Sequence, residues 1–237
     1  MAYESFRRAV ALDSRATDAL RGASEAAAGS HRLADVQRWL EALVAEEQAN
    51  VPARVELAHV LTAAGDATHA IAAATEARRL EPDNPRPVEE LASIFADLGD
   101  ANRLDPLAEE LLARFPNRAD ARYYHAAALF LRGRAAEAVD EARRLLTSSP
   151  QHAKAQNLLG AACATTGQFE CARVAFQASI DLSPRDPSPY LNLGFFHLQT
   201  ANPAAAADYF AEALALDQTS AMAREGLAQA RAALTRR

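Results

Sequence analysis

Glycine and proline recur along this chain at a fixed spacing. Four glycines lie 34 residues apart: Gly65, Gly99, Gly133 and Gly167. Four prolines have the same spacing, and each lies 17 residues after one of these glycines: Pro82, Pro116, Pro150 and Pro184. Both residue types end or turn helices. A residue that ends or turns a helix therefore occurs about every 17 residues, which predicts pairs of short elements repeated along the chain.

Between these glycines and prolines the apolar residues follow the spacing of a helix. Leu57, Val60 and Leu61 fall on one face of the first half of a repeat, and alanines at 70, 73, 74 and 77 fall on one face of the second half. The chain is 50% apolar but only 6% aromatic, and its many alanines favour helix over strand. We predict an all-α protein in which helix pairs stack on their neighbours, because helices this short are marginal alone.

The last full repeat contains a recognisable motif. It reads "YLNLGFFH" and then "AADYFAEAL", which places Leu193, Gly194, Ala206 and Phe210 at defined positions. This pattern resembles the tetratricopeptide repeat family, whose 34-residue unit runs Trp-x2-Leu-Gly-x2-Tyr, Ala-x3-Phe, Pro. The resemblance implies a right-handed superhelical α-solenoid of antiparallel helix hairpins. It also implies that the first helices of successive repeats line a concave binding groove.

Extending this register divides the whole chain. We expect the second helix of a partial repeat at 1–16, a capping helix at 221–237, and six repeats between them: 17–50, 51–84, 85–118, 119–152, 153–186 and 187–220. The first repeat is degenerate, with its turn glycine moved to Gly29. In the last, Ala201 replaces the turn glycine and Pro203 starts the second helix. Arg231, Arg236 and Arg237 predict a polar C-terminal cap, and the half repeat suggests a piece of a longer protein.

Composition narrows the classes of function. A net charge of -6 and a pI near 5.6 argue against a nucleic-acid or anionic-membrane surface, and no apolar run is long enough to cross a membrane. We therefore favour the cytoplasm, with a periplasmic or extracytoplasmic location open if a signal or anchor was removed.

No catalytic constellation is evident in the sequence. The glycines form no phosphate-binding loop and the histidines are scattered over different repeats. One pair, Glu56 and His59, has a spacing used in di-iron bundles, but those sites need a second such pair and further glutamates. We expect no catalytic residue, no cofactor and no metal.

The two cysteines, Cys163 and Cys171, flank the turn at Gly167. We interpret them as small apolar packing residues, the usual role of free cysteine. A disulfide stays open as an alternative, because an antiparallel hairpin can bring their Cα atoms within about 7 Å.

The groove positions implied by the resemblance differ between the two halves of the chain. In the first three repeats they are polar and mixed in charge, as in Asp18, Arg21, His59 and Glu89. In the last three they form an apolar strip, and the predicted groove residues are Tyr123, Ala127, Phe130, Asn157, Ala161, Leu191, Phe195 and Leu198.

An apolar strip of this kind typically marks a partner site, although the final helix or a missing segment could equally cover it. We predict a non-enzymatic scaffold that binds a peptide or helix of another protein in this groove. Self-association is a further option. The alternative function is an accessory array of a larger enzyme or signalling protein, with catalysis outside this chain.

Overall fold

In the computed structural model, residues 2–28 and 32–235 are described, and within these ranges the chain forms fourteen α-helices and no β-strand. The prediction of an all-α fold is confirmed. Gly29, Arg236 and Arg237 lie outside the described residues. The helices are α1 Ala2–Leu12, α2 Thr17–Ala28, α3 Leu33–Glu46, α4 Val51–Ala63, α5 Ala67–Leu80, α6 Pro85–Asp97, α7 Ala101–Arg114, α8 Ala119–Leu131, α9 Ala135–Ser148, α10 Ala153–Thr165, α11 Phe169–Leu182, α12 Pro187–Gln199, α13 Pro203–Leu216 and α14 Ala221–Thr235.

The tight turns inside the hairpins depend on left-handed backbone. The four periodic glycines have φ between 66° and 81°, and each follows a helix whose end is closed by hydrogen bonds back to its last turn. After α4, for example, the Asp66 N–H donates to the Leu61 carbonyl at 2.9 Å. Ala201 adopts φ 57° at the equivalent place before α13, a conformation that costs a residue with a Cβ more than it costs glycine.

Unit 1 of the chain, Met1–Pro116, contains α1 to α7. Consecutive helices pack on each other, and the row α2, α4 and α6 also packs side by side. Fully buried aliphatic side chains such as Leu40, Ile94 and Leu104 fill the space between the hairpins.

Asn50 joins two loops of unit 1 through a buried side chain. Its oxygen accepts from the Ala53 N–H at 3.0 Å and caps α4, and its nitrogen donates to the Ser14 carbonyl at 2.9 Å.

Unit 2, Asn117–Arg237, contains α8 to α14. Its consecutive helices also pack in sequence, and α8, α10, α12 and α14 form a row in which each helix packs on the next. The division into six repeats stays a prediction. The helices of the two rows nevertheless begin at 17, 51, 85, 119, 153, 187 and 221, each 34 residues after the one before.

Two phenylalanine rings in unit 2 pack against helix positions that are occupied by glycine and therefore have no side chain. Phe176, 1% exposed, lies on Gly160, and a Cβ built on that glycine would be 2.5 Å from the ring. Phe210, fully buried, lies on both Gly194 of α12 and Gly226 of α14. These helices approach closely because the glycines leave room for the rings.

The interpretation of the cysteines as free thiols is wrong. Cys163 near the end of α10 and Cys171 in the first turn of α11 form a disulfide, with their Cα atoms 5.9 Å apart. The turn at Gly167 folds the two helices back on each other and brings the sulfurs within bonding distance. Both residues do also pack with the apolar core of unit 2, in which Cys163 is fully buried.

Candidate partner-binding face of unit 2

The predicted groove residues all fall on the row of first helices in unit 2. α10 lies between α8 and α12 in this row and packs on both. The residues are Tyr123, Ala127 and Phe130 on α8, Asn157 and Ala161 on α10, and Leu191, Phe195 and Leu198 on α12. We call this set the first-helix face.

Solvent exposure differs strongly within the first-helix face. Phe195 is 39% exposed, whereas Ala127 is 5% exposed and offers little contact area. The other six side chains are partly exposed. Contact area for a partner is therefore concentrated on the aromatic and aliphatic side chains, with alanine forming part of the floor.

The Phe195 side chain packs against the neighbouring helix α13. Its ring meets that of Phe210 edge to face, with centroids 5.0 Å apart, a favourable geometry for two aromatic rings. Leu191 and Leu198 flank it and pack against the cluster formed by Ala206, Phe210 and Ala230. The apolar end of the first-helix face is therefore part of the same packed cluster as α13 and α14.

The final helix does not lie across this face. α14 packs on α12 and α13 and so extends the row by one helix. Among the described residues, its packing partners do not include α8 or α10.

Two asparagines of neighbouring helices bind each other in the centre of the face. The Asn192 side-chain nitrogen donates to the Asn157 side-chain oxygen at 2.9 Å. Across residues 2–28 and 32–235, the Asn157 nitrogen has no acceptor of its own and thus keeps two donors for a ligand. The pairing was not predicted, although the near-34 spacing of the two asparagines was a usable signal.

Tyr123 lies at the other end of the face, against the start of α10. Its ring stacks on His152 at 5.3 Å, and the His152 Nδ1 accepts from the Ala155 N–H at 3.1 Å, which caps the helix. The other ring nitrogen lies 3.3 Å from an Asp120 carboxylate oxygen, and this hydrogen bond lowers the pKa of Asp120. Tyr123 is therefore fixed on one side by a polar network and partly exposed on the other.

The corresponding row in unit 1 is polar. His59 is largely exposed and its Nδ1 lies 3.8 Å from a Glu90 oxygen, while Glu56 is buried. In the described part of the chain, no three histidine, cysteine or acidic residues come together as a metal site. The predicted difference in polarity between the binding surfaces of the two rows stays a prediction.

Part of this chain matches a known protein family. A model of the tetratricopeptide repeat family matches residues 106–153 and 138–187, which include α8 to α11. Residues 106–187 belong to the tetratricopeptide repeat family. A comparison with curated protein sequences finds no match.

Several solved structures share the fold. A chain of the APC/C hetero-tetramer Cut9-Hcn1 superposes with a TM-score of 0.72 at 18% identity over 97% of this chain, which spans only 45% of that one. A tetratricopeptide repeat protein from Parabacteroides merdae gives 0.74 at 15% identity, with 97% of this chain and 91% of that chain covered. The thermophilic protein TTC0263 from Thermus thermophilus gives 0.67 at 19%, with 76% and 97% covered.

Tetratricopeptide repeat arrays present extended binding surfaces and act in general as scaffolds for protein interactions. None of the described helices is long and apolar enough to cross a membrane.

Proposed function

We propose that this protein is a scaffold whose first-helix face in unit 2 binds an apolar peptide or an amphipathic helix of another protein. The observation that carries the proposal is Phe195. Its ring is 39% exposed, yet it is fixed by an edge contact with Phe210 and lies in the same helix row as two free amide donors of Asn157.

An apolar side chain held rigid and exposed is the preferred anchor of a protein interface. Because its conformation is already fixed by packing, little side-chain entropy is lost when a partner covers it. Aromatic anchors at the centre of an interface contribute most of its binding energy, while surrounding contacts exclude water. Phe195, with Leu191 and Leu198 beside it, fits this description.

The asparagine pair supports a partner that presents backbone or side-chain acceptors. Asn157 offers N–H donors and the Asn192 oxygen offers an acceptor, so together they match the two groups of a peptide unit. An extended segment can bind such groups directly. A helix would use the aromatic and aliphatic contacts, because its own backbone groups are already paired.

Site-specific photo-crosslinking tests this function. A benzoylphenylalanine placed at 195 should form adducts with a partner in lysate of the source cells, and mass spectrometry should place them on one short segment of one protein. The matched control is position 169, because Phe169 is 46% exposed but lies on α11, outside the row of first helices. Equal labelling from 169 and 195 would contradict the assignment.

A substitution provides the second arm. Phe195→Gln should reduce capture of the crosslinked partner at least about tenfold, the cost of losing a central aromatic anchor. Phe169→Gln should leave capture unchanged. Unchanged capture by a folded Phe195→Gln variant, with native helicity by circular dichroism, would place the partner site elsewhere.

A further inference from the structure

A second surface lies in unit 1, on the side of the second helices. α1 and α3 both pack on α2, and a trough runs between them. It consists of two cavities of about 460 and 480 Å³, and Arg7 and Trp39 line both. We call this surface the Trp39 trough.

The middle of the trough is an arginine packed on aromatic rings. The guanidinium carbon of Arg7 lies 5.6 Å from the ring centroid of Trp39 and 5.8 Å from that of Tyr3, and that of Arg32 lies closer to Tyr3, at 4.6 Å. Trp39 is the only tryptophan of the chain and is partly exposed. Part of the Trp39 side chain therefore remains open to solvent beside the guanidinium of Arg7.

Arg7 keeps its hydrogen-bond donors. Among the described residues, no carboxylate forms an ion pair with it, whereas Arg32 and Arg38 in the same trough share Asp35, at 3.1 and 2.7 Å. Ring contacts use the face of a guanidinium, while its N–H donors lie along the edge. Those donors can therefore bind a carboxylate without loss of the aromatic contacts.

The charge around the trough favours an anionic ligand at one end. The 480 Å³ cavity is lined by Arg7, Arg32 and Arg38 and by one carboxylate, Asp35, and a Glu4 oxygen lies 3.8 Å from Arg32, so the excess at this end is one positive charge. The 460 Å³ cavity contains Glu4, Glu46 and Glu47 beside Arg7 and Arg8, which restricts an anionic ligand to the Arg32 and Arg38 end. The protein as a whole has a net charge of -6, so this local excess differs in sign from the average surface. Arginine pairs with carboxylates through two parallel hydrogen bonds, which gives both strength and orientation.

We propose that the Trp39 trough binds an acidic segment of a partner protein, with a carboxylate on Arg7 at the Arg32 and Arg38 end and an apolar side chain on Trp39. The site is distinct from the first-helix face, which belongs to unit 2. One protein could thereby hold two different partner segments, one apolar and one acidic.

Trp39 supplies a direct assay, because all tryptophan emission of this protein comes from the trough. The probe is an acetylated and amidated twelve-residue peptide with glutamate and leucine at helical spacing. The control peptide has glutamine in place of every glutamate. We expect a saturable change of Trp39 emission with the glutamate peptide only, weakened by added salt because exposed charges are screened.

Variants assign the binding to the trough. Arg7→Gln should weaken the glutamate peptide about tenfold or more, since it removes a charge-assisted hydrogen bond. Arg38→Gln should weaken it to a smaller extent. Arg79→Gln, at an exposed arginine of α5 paired with Glu76, is the matched control and should bind as the parent does. Phe195→Gln should also bind normally, so that failure of the first-helix face and failure of this site are separable.

Three outcomes would overturn the proposal. The first is the absence of any saturable emission change in protein with native helicity. The second is an equal response to the glutamine peptide, which would mean apolar binding without charge recognition. The third is an emission change that follows protein concentration alone together with a doubled mass in light scattering, which would identify the occupant as a second copy of this chain.

Discussion

The contact between Gly160 and Phe176 can be tested by adding a single methyl group. Gly160→Ala places a Cβ about where the ring already is: 2.5 Å from Cδ1, 2.6 Å from Cε1 and 2.8 Å from Cγ of Phe176. Carbon atoms that touch favourably are about 3.5 to 4.0 Å apart. The ring must therefore move by about 1 Å, or α10 and α11 must separate.

Two opposing effects set the size of the change. Overpacking of a filled core costs about 1 to 3 kcal/mol. Alanine is a better helix former than glycine by about 1 kcal/mol, which offsets part of that cost. We therefore expect Gly160→Ala to lower the free energy of unfolding of unit 2 by about 0 to 2 kcal/mol.

The sign should reverse when the ring is absent. In a Phe176→Leu background the shorter side chain can turn away from the new methyl group, and Gly160→Ala should then stabilise by up to about 1 kcal/mol through helix propensity. The measurement is a double-mutant cycle by urea unfolding, followed by circular dichroism. Hydrogen exchange should locate the loss of protection in α10 and α11, because repeat arrays respond mainly near the lesion.

Gly133→Ala is the control for this cycle. Gly133 has φ 76° and no atom within 4 Å of an added Cβ, so alanine there costs about 1 to 2 kcal/mol of backbone strain and nothing through Phe176. Its effect should be the same with and without Phe176→Leu. If Gly160→Ala behaves in the same additive way, the close contact with the ring does not determine the packing of these helices.

Two further predictions concern unit 2. Reduction of the disulfide between Cys163 and Cys171 should lower the free energy of unfolding by about 2 to 3 kcal/mol, which is the closure entropy of a short loop. Dithiothreitol should not change the stability of the Cys171→Ser variant. An equal response of both proteins to the reductant in urea unfolding would contradict this prediction. Burial lowers the pKa of His197 from its usual 6.5, so the stability that its neutral ring confers is complete above pH 6.5 and is lost as the pH falls through the lowered value. His197→Tyr, which retains an aromatic ring beside Tyr209, should therefore flatten the dependence of Tm on pH between 7 and 5, and an unchanged slope would refute the assignment.

Much of the fold was predictable because the glycines and prolines that end or start the helices of a repeat array act through their own backbone conformation. A glycine such as Gly65 ends a helix through its own backbone conformation, and Ala201 was identified as its substitute from its position alone. Pro203 starts α13, as expected for a residue without an N–H in the first turn.

The contacts between side chains were less predictable. The disulfide depends on the angle at which α11 returns onto α10, and the spacing of two cysteines does not specify that angle. The contact between Arg7 and Trp39 joins α1 and α3 through two residues that are 32 positions apart and lie outside the motif positions. Within the first-helix face, the position of Ala127 was predicted, but its burial depends on how closely α8 and its neighbours pack.

Phe210 has a consequence for the smallest part of this chain that can fold. Its ring fills gaps on two helices at once, with Gly194 on one side and Gly226 on the other, and it touches the exposed Phe195 at its edge. A shortened chain that stops before α14 would uncover this ring and remove the support under the most exposed aromatic of the first-helix face. The last helix is thus a structural part of that face, and a truncation meant to isolate the binding surface should keep the chain through at least Ala230.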